Sequence, residues 1–77
     1  MQIILSNRAV KAITQLNEPD KGRIKNAIAI LPHGDVKKLK GYSTAYRLRV
    51  GNWRILYDNI DGRIEITDIL TRGSAYK

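Results

Sequence analysis

The hydrophobic residues in the first half of the chain are spaced as in amphipathic helices. After a short apolar segment at 2–5, Ser6 and Asn7 have side chains that cap helix N-termini. A first apolar stripe then follows at three-residue steps, with alanines beside it: Ala9, Val10, Ala12, Ile13 and Leu16. Residues 17–20 break this helix, and a second stripe has i, i+3, i+4, i+7 spacing: Ile24, Ala27, Ile28 and Leu31. The pattern predicts one strand followed by two helices.

The second half of the chain alternates apolar and polar residues, as the strands of a half-covered sheet do. Three such segments, 46–50, 53–57 and 63–67, are separated by Gly51-Asn52 and Asp61-Gly62, which are two-residue hairpin signals. We therefore expect one α+β domain over residues 1–77, in the order β-α-α-β-β-β. Two antiparallel helices would pack on one face of a small, mainly antiparallel sheet, because each helix has one apolar face to cover.

The Gly51-Asn52 turn predicts the register of the two strands that it joins. A two-residue loop places Arg49 opposite Arg54, about 5 Å apart at Cβ. Alternate residues then face the helices: Tyr46, Leu48, Val50, Trp53, Ile55 and Tyr57. Arg47, Arg49 and Arg54 share the opposite face, where like charges in direct opposition destabilise a sheet. An anion between the guanidinium groups would explain them; the alternative is that they extend into solvent or bind a nearby carboxylate.

The net charge of +7 at pH 7 is concentrated in the middle of the chain. No acidic residue occurs between Val36 and Tyr57, whereas six basic residues do: Lys37, Lys38, Lys40, Arg47, Arg49 and Arg54. A block of one sign in so small a domain is typical of a surface that binds a polyanion. The simpler alternative is a solvated basic face that aids solubility.

Composition excludes or disfavours several kinds of site and location. The sequence has no cysteine, which excludes disulfides and thiolate metal sites, and the single His33 cannot form a zinc site with scattered carboxylates. We expect no metal and no cofactor. No apolar run approaches the roughly 20 residues that span a bilayer, and residues 1–6 lack the features of a signal peptide. The protein is expected in the cytoplasm, without a membrane partner.

Arg72 and Tyr76 near the end of the chain extend the set of candidate residues. They are four residues apart, so a short helical turn would place them on one side. Plain alternation from Ile64 and Ile66 would instead carry Arg72 to the covered face. A β-bulge or a twist at the end of the strand would remove that conflict.

Two segments of the chain resemble the RelE/ParE superfamily of toxins from bacterial and archaeal toxin–antitoxin pairs. They are Val36-Lys37-Lys38-Leu39-Lys40-Gly41 and residues 46–57, and the match extends to Thr71-Arg72 and Tyr76. The RelE branch implies an mRNA interferase, a metal-independent endoribonuclease that cleaves mRNA in the ribosomal A site. In such enzymes the 2′-hydroxyl attacks the adjacent phosphate and leaves a 2′,3′-cyclic phosphate and a 5′-hydroxyl.

The resemblance also implies roles for individual residues. Arg47 and Arg49 match strand positions where relatives often carry lysine, and Arg54 matches a phosphate-binding arginine. Arg72 matches an arginine near the leaving oxygen, and Tyr76 matches a tyrosine that packs on or near the reacting nucleotide. These five are the predicted catalytic residues. The predicted RNA contacts are Lys37, Lys38 and Lys40.

The general base of this reaction is left open by the sequence. Guanidinium groups stay protonated, so neither Arg47 nor Arg49 can accept the proton of the attacking hydroxyl. His33 is the only imidazole, the usual base at neutral pH, but it lies in a loop and matches no catalytic position of the family. The base would be Tyr76 or a ribosomal group, or there would be none.

Two other functions are open alternatives. A ParE-like gyrase poison would bind a protein and cleave no RNA, but ParE-like chains have longer helices and lack the dense strand arginines. A non-catalytic nucleic-acid-binding module would need an aromatic platform, whereas Trp53 and Tyr57 fall on the covered face.

The family implies several partners. They are a cognate RelB-like antitoxin, the ribosome and mRNA, with operator DNA as a further partner of the toxin–antitoxin complex. A tightly bound protein would also stabilise so small a domain. We expect an acidic or amphipathic segment of the antitoxin to mask or displace the arginine face.

Overall fold

The computed structural model describes residues 2–71, which form two helices and five strands. In chain order these are β1 (Gln2–Leu5), α1 (Asn7–Thr14), α2 (Asp20–Ala29), β2 (Val36–Lys38), β3 (Ala45–Val50), β4 (Trp53–Ile60) and β5 (Arg63–Thr71). The sheet order is β1-β5-β4-β3-β2; β1 is parallel to β5, and the other neighbours are antiparallel. The predicted α+β class is confirmed. The unpredicted strand, β2, has three residues, too few to show alternation. Neither helix has the length and apolar content needed to cross a membrane.

The helices cover one face of the sheet over a core rich in isoleucine. Its fully buried large side chains are Ile24 of α2, Leu48 of β3, Ile55 of β4, and Ile64 and Ile66 of β5. Helix α1 presents Ala9 and Ile13, four residues apart, to this core. Val10, which the predicted stripe included, is 46% exposed. A step of three residues falls short of the 3.6-residue turn, so a stripe at that spacing moves around the helix.

Ser6 joins the start of α1 to strand β5. Its side-chain oxygen accepts a hydrogen bond from the Ala9 amide at 3.1 Å, and its hydroxyl donates one to the Thr67 carbonyl at 2.9 Å. The first bond satisfies an amide that the helix itself leaves without a partner. The predicted helix cap is therefore confirmed, and it also fixes α1 to the sheet.

Strand β5 contains a bulge at Thr67, where its pairing with β4 skips one residue. The Thr67 hydroxyl donates a hydrogen bond to the Leu56 carbonyl at 3.0 Å. The buried positions are even-numbered before the bulge, at Ile64 and Ile66, and odd-numbered after it, at Ile69. Beyond the bulge, the even-numbered residues of β5 therefore lie on the face away from the helices.

The predicted register of the β3–β4 hairpin is confirmed, with Arg49 opposite Arg54. Gly51 has a φ of 58° at the first position of the turn, a conformation that residues with a side chain rarely adopt. The sheet thus has a covered face and an opposite face, here called the open face. Four basic residues of the open face occupy neighbouring strands: Lys37, Arg47, Arg49 and Arg54.

Candidate nucleic-acid interface

A cleft of about 430 Å³ lies on the open face across β2, β3 and β4. Among the residues that the structure describes, its lining contains five basic side chains and two leucines: Lys37, Lys38, Lys40, Arg47, Arg54, Leu39 and Leu56. Five of the six basic residues of the acid-free segment thus line one cavity, here called the basic cleft, and Arg49 does not. Five cations around one small volume create a strongly positive potential, which favours a bound polyanion.

Strand β2 and the loop after it bring the lysines to the arginines. Lys37 pairs with Arg47 across the β2–β3 ladder. The loop at 39–44 is closed by a hydrogen bond from the Leu39 amide to the Ala45 carbonyl, with a length of 2.9 Å. This closure keeps Lys40 next to the hairpin that carries Arg47. The unpredicted strand therefore contributes one wall of the basic cleft.

Arg54 is the buried member of the cleft, with an exposed fraction of 4%. Its Nη1 donates hydrogen bonds to the carbonyls of Trp53 at 3.1 Å and Gly51 at 3.4 Å, both at the β3–β4 turn. Sequence alternation placed Arg54 on the open face but gave no sign of this burial. A guanidinium that fixed partners hold in one geometry can bind a phosphate with little reorganisation.

Arg49, although opposite Arg54 in the sheet, is engaged by a carboxylate. Its Nε lies 2.6 Å from Oδ2 of Asp35. The other carboxylate oxygen of Asp35 lies 3.9 Å from Nη1 of Arg47. Of the alternatives weighed for the strand arginines, binding to a nearby carboxylate applies to Arg49. Arg47 and Arg54 are the arginines of the described chain that line the basic cleft.

The turn before β2 places Asp35, which sequence reasoning did not identify. Gly34 has a φ of 116°, and a Cβ at its position would lie 3.2 Å from Cδ1 of Leu48. The Asp35 carbonyl accepts a hydrogen bond from the Arg49 amide at 2.9 Å. Both features hold the Asp35 carboxylate beside β3. The available sequence signal was an acidic residue directly before the acid-free segment.

Arg72 and Tyr76 lie outside the described residues, and their roles stay predictions. Leu70, beyond the bulge, lies opposite Arg54 on the open face. The bulge at Thr67 thus changes which residues of β5 face the helices up to Thr71, where the described residues end.

Within residues 2–71, no carboxylate or imidazole lines the basic cleft. His33 is exposed in the loop between α2 and β2. Tyr57 lies on the covered face, with its ring stacked on Tyr46 at a centroid distance of 5.4 Å. Burial, and to a lesser extent repulsion from Tyr46, raises the pKa of Tyr57 above its ordinary value of 10.0. The described cleft residues are therefore suited to binding negative charge rather than to taking up a proton.

Comparison with solved structures identifies the family. A chain in the crystal structure of the RelB-RelE antitoxin-toxin complex from Methanococcus jannaschii superposes with a TM-score of 0.81 at 30% identity, covering 95% of this chain and 94% of that chain. The protein belongs to the RelE superfamily of toxins. The archaeal RelE-RelB complex from Pyrococcus horikoshii OT3 contains a similar chain, with a TM-score of 0.76, 28% identity and 94% coverage of both chains.

Comparison with curated sequences gives a shorter RelE match. Toxin RelE3 from Methanocaldococcus jannaschii is 45% identical over 42 residues, which are 54% of this chain and 48% of that toxin. The match therefore spans about half the length of that relative. No family model matches the sequence. Membership of the RelE superfamily thus rests mainly on the structural match, which covers nearly the whole of both chains.

Proposed function

We propose that this RelE-type protein is the toxin of a toxin–antitoxin pair and a metal-independent, ribosome-dependent endoribonuclease that cleaves mRNA in the A site. The observation that carries the proposal is the basic cleft, in which two arginines and three lysines surround one cavity on the open face. Every nucleotide of a single RNA strand brings one negative phosphate, so the charge of the cleft is complementary to that strand.

The proposed reaction is an attack of the RNA on its own backbone. The 2′-hydroxyl loses its proton as its oxygen bonds to the adjacent phosphorus, the bond from phosphorus to the 5′-oxygen of the next nucleotide breaks, and that 5′-oxygen takes a proton from water. The products are a 2′,3′-cyclic phosphate and a 5′-hydroxyl. Negative charge grows on the phosphoryl oxygens in the transition state, and fixed guanidinium groups stabilise it there.

The basic residues are suited to different tasks. Arg54, which is buried and bonded to the hairpin turn, is proposed to hold the scissile phosphate together with Arg47. The lysines are proposed to bind the flanking phosphates: Lys37, Lys38 and Lys40. By family resemblance, Arg72 is proposed to act at the leaving oxygen and Tyr76 to pack on the nucleotide. The proton of the 2′-hydroxyl is assigned to Tyr76 or to the ribosome, since the described cleft offers no carboxylate or imidazole.

The proposed partner is a RelB-like antitoxin that covers two surfaces. Two RelE chains similar to this one were solved in complexes with RelB. An apolar groove of about 270 Å³ lies between the helices, and its lining includes Leu5, Val10, Ile13 and Ile28. One amphipathic segment of the antitoxin is proposed to fill this groove, and a separate acidic segment to mask the basic cleft on the opposite face of the sheet. The complex is further proposed to bind operator DNA, and the toxin to act in the cytoplasm, where its ribosomal substrate lies.

The decisive experiment is cleavage of a defined mRNA on purified, programmed ribosomes, with naked mRNA in parallel. Primer extension should map cuts to the A-site codon, and addition of the cognate antitoxin should abolish them. The downstream fragment should accept a phosphate from polynucleotide kinase without prior phosphatase treatment, because its 5′ end is a free hydroxyl.

The Arg47→Gln variant tests the cleft directly. We expect it to lose about 10- to 100-fold in cleavage rate, because one guanidinium near the phosphate is removed. Arg63→Gln is the matched control: it makes the same change of charge at the far end of the sheet, where Arg63 pairs with Glu65 at 2.8 Å. Absence of cleavage by folded wild-type protein would favour the gyrase-poison alternative. Equal rates for the two variants would show that the basic cleft is not the site.

A further inference from the structure

Asp35 contacts two arginines of strand β3 with unequal strength. Its Oδ2 lies 2.6 Å from Nε of Arg49, and its Oδ1 lies 3.9 Å from Nη1 of Arg47. A separation of 2.6 Å between a guanidinium and a carboxylate is a short, charge-assisted hydrogen bond, whereas 3.9 Å is only an ion pair. Asp35 is therefore hydrogen-bonded to Arg49 and only ion-paired with Arg47.

Arg47 and Arg49 differ in their relation to the basic cleft, although they share a strand and a face. Arg47 lines the cleft, and its side chain is 16% exposed. Arg49 is not part of the lining, and its side chain is 53% exposed. Backbone pairing reinforces this, because the Arg49 amide donates to the Asp35 carbonyl at 2.9 Å. Both the backbone and the side chain of Asp35 thus bond to Arg49, which lies outside the lining of the cleft.

We infer that Asp35 is a positioning residue that withholds Arg49 from the RNA and leaves Arg47 and Arg54 to face the scissile phosphate, in place of the catalytic role that the family resemblance implies for Arg49. The inference rests on the proposed function. A phosphate entering this surface is attracted to every guanidinium, and the more exposed Arg49 would compete with the two in the cleft. A carboxylate bonded to Arg49 cancels most of its field at short range and reduces that competition.

The test is the salt dependence of RNA binding by the Asp35→Asn variant. The probe is a short single-stranded 2′-O-methyl RNA, which the protein cannot cut because the attacking hydroxyl is blocked. Each phosphate contact adds about 0.7 to the slope of log Kd against log salt concentration. Release of Arg49 should add one contact. Between 50 and 200 mM salt, the Kd of Asp35→Asn should therefore rise about 2.6-fold more than the Kd of the wild type.

Two variants separate this effect from a general change of charge. Asp61→Asn removes one negative charge from an exposed position in the β4–β5 turn and should keep the wild-type slope. Asp35→Glu retains the carboxylate and should keep it as well. In an Arg49→Gln background, Asp35→Asn should no longer steepen the slope, because the competing guanidinium is absent.

The kinetics of cleavage on programmed ribosomes provide a second test of the inference. Asp35→Asn should lower KM and lower kcat together, because part of the RNA then binds with its phosphate on Arg49. If Asp35→Asn and Asp61→Asn have the same slope and the same kcat, this inference is overturned and the proposed function is not. A steeper slope that persists in the Arg49→Gln background would also overturn it. A folded wild-type protein that neither binds the RNA nor cleaves mRNA would overturn the proposed function, and this inference with it.

Discussion

The covered face and the open face of this sheet are built by different rules. On the covered face burial follows strand alternation, so that Leu48, Ile55 and Ile64 are at most 1% exposed. On the open face alternation gives the position of a residue but not its environment. The two members of one register pair show this: Arg54 is 4% exposed, whereas the side chain of Arg49 is 53% exposed.

The difference has a physical cause. An apolar side chain gains free energy when it leaves water, and any apolar neighbours provide that gain. A guanidinium loses hydration when it is buried and must find particular oxygen atoms at hydrogen-bonding distance. Arg54 finds the carbonyls of the hairpin turn, and Arg49 finds Asp35. The covered face should therefore carry stability and the open face chemistry, with Arg54 contributing to both.

The largest expected effect is on the covered face, at Ile55. Ile55→Ala removes a fully buried side chain and should lower the free energy of unfolding by about 2–5 kcal/mol, through lost burial and the cavity left behind. Urea denaturation followed by Trp53 fluorescence measures this. Ile60→Ala is the matched control on the same strand. Because Ile60 is 39% exposed, this substitution should lower the free energy of unfolding by less than about 1 kcal/mol. Equal losses for the two variants would contradict the division between faces.

The second effect tests whether Arg54, on the open face, contributes to both stability and cleavage. Arg54→Gln should lower cleavage on programmed ribosomes by about 100-fold, because a fixed guanidinium at the phosphate is lost. It should also lower the free energy of unfolding by about 1–3 kcal/mol, because the part-buried hydrogen bonds to the Trp53 and Gly51 carbonyls are lost. Single-turnover rates and urea denaturation measure the two losses separately.

Two further variants keep the Arg54 result interpretable. Arg54→Lys retains the positive charge, so it should recover part of the stability but little of the rate, since an ammonium cannot reproduce the planar guanidinium. Arg63→Gln changes the charge equally and should leave the rate within about twofold, because a surface ion pair contributes little. An Arg54→Gln variant that unfolds easily yet cleaves at the wild-type rate would make Arg54 structural alone.

Much of the fold was predictable because its signals are local. The Gly51-Asn52 turn indicated the hairpin register, and Ser6 and Asn7 indicated the start of α1, where the structure shows Ser6 as the cap. Strand β2 and the bulge at Thr67 were not predictable. A three-residue strand has no measurable period, and the bulge depends on hydrogen bonds to Leu56 and Ser6, which are distant in sequence.

The sequence indicated the basic residues of the cleft but not their arrangement. The acid-free segment indicated the basic residues, five of which line the cleft. The contact between Asp35 and Arg49 spans two strands and a glycine turn, so no local pattern indicates it. The burial of Arg54 is likewise a property of the folded sheet, because the sequence places it in alternation with apolar residues just as it places Arg49.

The smallest expected effect concerns Tyr57, whose hydroxyl lies on the covered face and is sensitive to how well that face excludes water. Burial, and secondarily Tyr46, raises its pKa above 10.0, so at alkaline pH the unfolded chain loses this proton before the folded chain does. The stabilisation is complete below about pH 10 and is lost as pH rises through the raised pKa, by at most about 1.4 kcal/mol per pH unit. Tyr57→Phe should therefore show a shallower decline in the free energy of unfolding between pH 9 and pH 11. The difference between the two profiles, measured by urea denaturation, isolates the contribution of Tyr57. Parallel profiles would mean that water reaches the Tyr57 hydroxyl, and that the covered face excludes water less well at Tyr57 than at its buried isoleucines.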